Sequence, residues 1–223
     1  IVAFLDDDHI PYSDWLEKII ETYTKFKNVG GVGVRVVQQN GDRIGHSIRY
    51  MYRSFLNKVT NAFFPLLGSV REVNHITLTN HFRGVWPSFL KEALEEVVST
   101  EGTKSYLDEN LERECMGDWL DISLRVGRYY TLVYNPHVKI LHLKHTHHVT
   151  SIRSLNDITS ITKNITYVIL KHIRNRIDLI RYIICVFIVN FPSILKNPLR
   201  LVAIIKGIVW GMRKFSHLYL RNS

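Results

Sequence analysis

Cysteine is scarce in this chain of 223 residues, which contains only Cys115 and Cys185. Two cysteines that lie 70 residues apart exclude a disulfide framework, so a reducing compartment is the default expectation. Hydrophobic residues make up 46% of the chain and charged residues 22%, close to the globular average, which excludes a disordered or low-complexity class. The length predicts one domain with an extension.

Acidic residues are scarce in the last third of the chain. Residues 151–223 hold 12 lysines and arginines but only Asp157 and Asp178, which gives a net charge of +10, whereas residues 1–150 have a net charge of −1. The whole excess of +9 therefore lies in the C-terminal part. We predict a near-neutral domain at 1–150 and a basic, apolar tail at 151–223.

The tail combines its positive charge with long apolar runs. Residues 182–195 carry no charge, and residues 199–212 carry only Arg200 and Lys206. Neither run reaches the about 20 residues of a membrane-spanning helix. Their lengths favour amphipathic helices in the interface of an anionic membrane, and an ordinary core helix hairpin with solvated basic edges is the alternative. Nucleic acid is not expected as a partner, because it requires basic residues interleaved with exposed aromatics.

The chain has no initiating methionine and no signal peptide, and residues 1–5 are typical of a buried strand. We therefore expect a further part of the protein to precede Ile1. Strands and helices alternate through the body, which predicts an α/β fold. Strands are expected at 1–5, 29–37, 70–79, 130–134 and 138–141, helices at 14–26, 89–99, 117–126 and 159–182, a hairpin turn at 40–41, and helical or irregular structure at 46–66.

Three consecutive aspartates, Asp6, Asp7 and Asp8, follow the first predicted strand. Carboxylates this close repel one another unless a cation lies between them, and open α/β sheets bind ligands at the carboxyl ends of their strands. Because side chains alternate along an extended chain, Asp6 and Asp8 are expected on one side, where they suit Mg²⁺ or Mn²⁺. A solvated acidic turn is the alternative.

A second pair of carboxylates lies in the helix predicted at 117–126. Asp118 and Asp121 are three residues apart and therefore face the same way. One is a candidate general base, and the other would orient it or a substrate hydroxyl. The alternative is that both are helix N-terminal acids favoured by the helix dipole.

Five of the eleven histidines lie within twelve residues near the end of the body. A zinc site is one interpretation, but no cysteine is nearby and two of the histidines are adjacent, which suits a single ion poorly. A single histidine that joins the carboxylates is favoured instead. The five are His137, His142, His145, His147 and His148.

These features, in this order, resemble family-2 glycosyltransferases over most of the chain. Residues 1–8 (IVAFLDDD) with the following HIPYSDWLEKII are similar to the family's metal-binding turn, an apolar strand ending in Asp-x-Asp before a proline and a helix. Residues 117–125 (GDWLDISLR) resemble the element that holds the catalytic base, and residues 135–142 (NPHVKILH) resemble a strand whose last histidine binds the metal in some members. Weaker similarities lie at 29–37, 79–83 (TNHFR), 106–109 (YLDE) and 167–176 (YVILKHIRNR).

The resemblance implies an α/β, GT-A-like (Rossmann-like) mixed sheet flanked by helices, lacking its first βαβ portion and followed by an amphipathic helical tail. It implies inverting transfer of a sugar from a nucleotide-sugar donor. Asp6, Asp8 and His142 would bind Mg²⁺ or Mn²⁺, which offsets the charge of the leaving diphosphate. The tail would hold the enzyme at an anionic membrane surface on the cytoplasmic face, which suggests a glycan or lipid-linked acceptor.

The remaining site assignments concern the donor, from the resemblance, and the acceptor, from side chains suited to contact a sugar ring. Donor contacts fall on Asp6, Asp7 and Asp8. The candidates for acceptor binding are aromatic or amide side chains, although aromatics of this kind are more often core residues. These candidates are Asn80, Trp86 and Trp119.

One departure from the family's pattern concerns the base. Alignment of residues 121–125 places Trp119 where the family usually has its catalytic aspartate. Either Asp118 serves after a one-residue shift, or Asp121 takes over, or the enzyme is altered, and we favour Asp118. Because the family's nucleotide-binding portion would precede Ile1, we expect this chain alone to be inactive and to bind donor poorly.

Two other function classes fit parts of the sequence. A Mg²⁺-dependent phosphatase or nuclease would use the aspartates at the strand end, but it needs a nucleophilic aspartate or further acidic ligands that the sequence does not locate. A non-catalytic membrane-surface module explains the tail but leaves the carboxylates and His142 without a role.

Overall fold

A computed structural model describes residues 1–38, 55, 58–60, 62–67, 73–82, 85–112, 117–143, 154–173 and 175–220. Its strands are β1 (Val2–Ala3), β2 (His9–Pro11), β3 (Val29–Gln38), β4 (Thr77–Thr79), β5 (Trp86–Phe89) and β6 (Thr131–His142). Its α-helices are α1 (Trp15–Lys25), α2 (Lys91–Glu101), α3 (Asp118–Val126), α4 (Leu155–His172), α5 (Arg176–Lys196) and α6 (Leu199–Phe215), with a 3-10 turn at Pro65–Leu67 and a π-helical turn at Ser216–Leu220. Outside the described residues lie the turn predicted at 40–41, most of 46–66, residues 70–72 of a predicted strand, Cys115, His145, His147 and His148.

The chain divides into two compact units. The first comprises Ile1–Phe55, Ser69–Leu107 and Trp119–Val149, and the second comprises Leu56–Gly68, Asp108–Asp118 and Thr150–Ser223. The second unit therefore combines the basic tail with two earlier segments of the chain.

The first unit is a curled, mixed sheet flanked by helices. Its strands follow the order β1–β5–β3–β6–β2, and β4 pairs with β6. β3 and β6 run parallel, whereas the other pairs are antiparallel. The α/β class predicted from the alternation of strands and helices is present.

The central strand β3 separates two apolar layers. Val34 packs with Ile19 of α1 on one side of the strand. On the other side, a Cβ added to Gly33 would lie 2.8 Å from the ring of Phe82, which packs with α2 and α3. The glycines in this strand therefore let an aromatic ring approach its backbone.

The sheet must curl because a short segment joins its two edges. The Phe4 amide donates to the Pro87 carbonyl beside β1, and the Leu143 amide donates to the Asp8 carbonyl beside β2. Five strands in a flat sheet would separate these edges by roughly 19 Å, but four residues span at most about 14 Å. The rings of His9 in β2 and Trp86 in β5 accordingly lie 4.3 Å apart. The aspartates thus cross the gap between two sheet edges.

Several predicted boundaries in the first unit are wrong. Of the buried strand predicted at 1–5, only Val2–Ala3 is a strand. It lies at the edge of the sheet, where its pairing within the described residues is with β5. Phe89 ends β5 rather than starting a helix, because it pairs with β1 and β3 and is fully buried.

The observed bounds of β4 and β6 also differ from the predicted strands. The strands predicted at 130–134 and 138–141 form one strand, Thr131–His142, whose register against β3 shifts between Val34 and Arg35. This irregularity accommodates Pro136, which has no amide hydrogen to donate. Among the described residues of the strand predicted at 70–79, only Thr77–Thr79 is extended in the sheet.

The second unit is built around α4, whose residues 164–169 are all buried. α6 packs against it through two glycines spaced four residues apart. A Cβ added to Gly207 would lie 2.6 Å from Thr162 Cβ, and one added to Gly211 would lie 2.6 Å from Thr166 Cβ. Glycine is needed at both positions because the two helices approach so closely.

The helix predicted at 159–182 is two helices. α4 ends at His172, and the Asn175 side chain caps α5 by accepting a 2.9 Å hydrogen bond from the Asp178 amide. By length and composition, the 21 residues of α5 could cross a membrane. The uncharged run 182–195 predicted from the sequence is shorter because it excludes the first turns of this helix. Of the most apolar window of α5, 17% is buried in the structure.

Candidate metal centre

The three aspartates form a turn rather than an extended strand. The His9 amide donates a 3.1 Å hydrogen bond to the Asp6 carbonyl, and the chain enters β2 at His9. The alternation expected of Asp6 and Asp8 in an extended chain therefore does not apply. Asp8 lies at the end of the turn that is attached to β2.

Strand pairing brings the end of this turn to the end of β6. His9 lies directly opposite His142 in the antiparallel pair of β2 and β6. Asp8 Oδ2 lies 2.9 Å from His142 Nε2, and Asp8 Oδ1 lies 2.8 Å from His9 Nδ1. Ligand atoms of the three side chains all lie within 4.8 Å of one another. We call Asp8, His9 and His142 the triad.

His9 is the buried member of the triad, with 8% of its surface exposed. Its ring lies between those of Trp86 and His142, with centroids 4.3 and 4.8 Å away. Its Nδ1 contacts the Asp8 carboxylate at 2.8 Å, and its Nε2 has no hydrogen-bond partner among the described residues. Burial lowers the pKa of His9 although the Asp8 carboxylate opposes this, which favours the neutral imidazole that binds metals.

The structure brings together two of the three metal ligands predicted from the sequence. Asp8 and His142 meet, whereas Asp6 is exposed and lies outside the triad. Desolvation by the neighbouring parts of the turn raises the pKa of Asp6, which His9 opposes and Asp8 reinforces. His9 was missed, since its position depends on a three-residue strand with no clear sequence signal.

The triad offers one carboxylate oxygen and two imidazole nitrogens at the half-buried end of a strand pair. Such mixed donors bind divalent ions that accept both nitrogen and oxygen. A cation beside the buried His9 ring and the Asp8 carboxylate would bind a ring nitrogen and a carboxylate oxygen together. The residues present therefore fit a divalent metal ion.

The two aspartates of α3 differ sharply in their surroundings. Asp121 is 1% exposed, and its Oδ2 lies 3.7 Å from the buried guanidinium of Arg125. Arg125 also donates to Glu101 Oε2 at 2.7 Å and to the Tyr106 carbonyl at 2.7 Å. Asp121 thus belongs to a buried ionic network, whereas Asp118 is only partly buried at the first position of the helix.

The three acceptor candidates also lie in different environments. The Trp119 ring packs 4.8 Å from the Phe4 ring against the core, and Trp86 packs beside Ile19 and His9. Both indoles therefore contribute to packing. Asn80 is exposed.

Asp108, one of the acids matched to the family's pattern, lies in the second unit. Its carboxylate accepts 2.8 Å hydrogen bonds from the Tyr167 hydroxyl and the Lys171 ammonium, and its Oδ1 accepts one of 2.9 Å from the Asn110 amide. These hydrogen bonds hold residues 108–110 against α4.

Comparison of the sequence with protein-family models and with curated proteins gave no match.

Proposed function

We propose that the chain is the metal-binding part of an inverting glycosyltransferase, which transfers a sugar from a nucleotide-sugar donor to a glycan or lipid-linked acceptor. The observation that carries this proposal is the 2.9 Å approach of Asp8 and His142, which are 134 residues apart in the sequence. The resemblance selects these two residues as metal ligands without knowledge of their distance. A solvated acidic turn would not require a histidine from another strand.

Different residues bind the metal, contact the donor and accept the proton of the acceptor. Asp8 and His142 hold the divalent cation, which when bound offsets the charge on the leaving diphosphate. Asp6 and Asp7 are exposed on the same turn, where they contact the donor. Asp118 accepts the proton of the attacking acceptor hydroxyl, because Asp121 is buried against Arg125 and is needed there.

The test compares two isosteric variants of the full-length protein in a manganese titration with nucleotide sugars, following release of nucleoside diphosphate. Asp118→Asn should lower kcat by about 10²–10⁴-fold with little loss of thermal stability. Asp121→Asn should lower the melting temperature but leave kcat of the folded protein within about tenfold. Near-normal kcat in Asp118→Asn would refute the base assignment. Release of phosphate rather than nucleoside diphosphate would support a phosphatase instead.

We propose a location at an anionic membrane surface, on the cytoplasmic face, and the exposed apolar side chains of the second unit support the association with a membrane. α5 exposes a stripe of large apolar side chains at intervals of three and four residues, the spacing of one helix face. These are Ile177, Ile180, Ile184, Ile188, Phe191 and Leu195. α6 exposes Leu201, Val202, Ile205, Val209 and Met212, with the basic residues Lys206 and Arg213 on the same helix.

Apolar faces with basic neighbours suit the interface of an anionic bilayer. Water is a poor environment for so many exposed aliphatic side chains on two consecutive helices. A membrane-bound enzyme of this kind would meet a lipid-linked or cell-envelope acceptor at the surface to which it is bound.

A further inference from the structure

We infer that His9 is a third protein ligand of the metal ion, and that the centre is built for an imidazole-accepting divalent ion such as Mn²⁺, Co²⁺ or Zn²⁺ rather than Mg²⁺. The resemblance assigns no role to this histidine. The inference rests on the proposed function through the shared metal centre, but it is independent of which group is transferred there.

Strand register gives His9 the position of a ligand. Because it lies directly opposite His142, the two imidazoles share one side of a two-stranded ladder. Their ring centroids are 4.8 Å apart, and each ring presents a nitrogen to a different oxygen of Asp8. Two ligands that meet one ion at right angles, each about 2.1 Å from it, lie about 3 Å apart. The nitrogen–oxygen distances of 2.8 and 2.9 Å suit this arrangement.

The hydrogen bonding of His9 supports the same conclusion. Its two ring nitrogens are buried; Nδ1 contacts the Asp8 carboxylate at 2.8 Å, and Nε2 has no hydrogen-bond partner within the described part of the chain. Buried polar atoms in native proteins are nearly always satisfied, so a buried imidazole whose polar contact is a single carboxylate oxygen leaves room for a further partner. A cation satisfies a ring nitrogen and the carboxylate together.

The donor atoms decide the class of ion. Mg²⁺ prefers oxygen ligands in near-ideal octahedral geometry and releases its waters reluctantly. Two imidazole nitrogens with one carboxylate suit transition ions of intermediate softness instead. The Trp86 ring, tilted by 31° with its centroid 4.3 Å from that of His9, limits rotation of the imidazole.

The alternative is that His9 only fills space between Trp86 and His142. A phenylalanine would then serve equally well, because it keeps the ring and its contacts with Trp86 and His142 but has no donor atom. His9→Phe is therefore the informative variant, and His137→Phe is the matched control, since His137 is an exposed histidine of β6 outside the triad.

The experiment is pulsed EPR of the chain loaded with Mn²⁺ in the absence of nucleotide sugar, with ¹⁵N-labelled histidine, combined with competition by Mg²⁺. We expect two coupled imidazole nitrogens in the wild-type protein and one in His9→Phe, with at least a tenfold loss of Mn²⁺ affinity. His137→Phe should match the wild type, and Mg²⁺ should compete at least 100-fold more weakly than Zn²⁺.

One imidazole nitrogen or none in the wild-type protein would overturn the inference, and so would equal competition by Mg²⁺. The wild-type nitrogen count is decisive even if His9→Phe fails to fold. Two nitrogens without release of nucleoside diphosphate in the full-length protein would sink the proposed function but not this inference. Release of nucleoside diphosphate by a protein with only one coupled imidazole nitrogen would support the proposed function and overturn this inference.

Discussion

Replacement of Asp108 by asparagine should weaken the second unit at neutral pH and remove part of its sensitivity to acid. The Asp108 side chain is 7% exposed and forms an ion pair of 2.8 Å with Lys171. It also accepts the hydroxyl of Tyr167, so a single carboxylate fastens residues 108–110 to α4. Asparagine keeps the size of the side chain but cannot carry the charge.

The magnitude follows from the pKa of this carboxyl. Burial alone would raise the pKa of Asp108, but the hydrogen bond and charge of Lys171 outweigh burial and lower it from 3.8 to about 2. A depressed native pKa stabilises the fold fully above the unfolded value, and this contribution is lost as the pH falls through 3.8 towards 2. At about 1.4 kcal/mol per pH unit, reduced for solvent screening, it amounts to about 1–2 kcal/mol.

The assay is urea denaturation followed by helical circular dichroism at pH 6, 4, 3 and 2. The wild-type protein should exceed Asp108→Asn in unfolding free energy at pH 6, and this gap should narrow by about 1–2 kcal/mol towards pH 2. Glu109→Gln, at an exposed neighbour, should show little gap at any pH. If the difference in unfolding free energy between the wild type and Asp108→Asn stayed constant from pH 6 to pH 2, the charge of Asp108 would not be what stabilises the second unit.

Two further predictions concern the helices of the second unit. Gly207→Ala should lower the unfolding free energy by about 1–2 kcal/mol, because the added methyl group clashes with Thr162. This clash outweighs the about 1 kcal/mol by which alanine favours a helix over glycine. Equal or higher stability of the variant in urea would contradict the prediction. The double variant Ile180→Glu/Ile184→Glu should reduce partitioning onto phosphatidylglycerol vesicles at least tenfold. Ile20→Glu, at an exposed isoleucine of α1, should leave partitioning unchanged, and equal loss in both variants would argue against a membrane-facing stripe.

Elements with a strong local pattern could be predicted from the sequence. The helix expected at 14–26 is Trp15–Lys25, and the strand expected at 29–37 is Val29–Gln38. Both carry their apolar residues at the spacing that the element requires, so the pattern depends little on distant partners.

Elements that depend on tertiary pairing could not be predicted. β2 has only three residues and exists because it pairs with the end of β6, and Phe89 is a strand residue because two strands flank it. The break between α4 and α5 depends on the cap made by Asn175, within a sequence that is apolar on both sides. Local propensity carries little information at such positions.

The same distinction applies to the site. Asp8 and His142 were selected by their motifs, and the sheet brings them together. The role of His9 depends on register, because a shift of one residue would turn its ring to the other face of the sheet. The burial of Asp121 beside Arg125 is likewise a tertiary property, since both aspartates of α3 look equivalent in the sequence.

The most direct test of the metal centre is anomalous diffraction at the manganese absorption edge, from crystals of the protein grown with Mn²⁺. We predict one strong peak within about 2.5 Å of an Asp8 carboxylate oxygen and of a ring nitrogen of both His9 and His142. A fully occupied Mn²⁺ site elsewhere, with no peak between these three side chains, would contradict it.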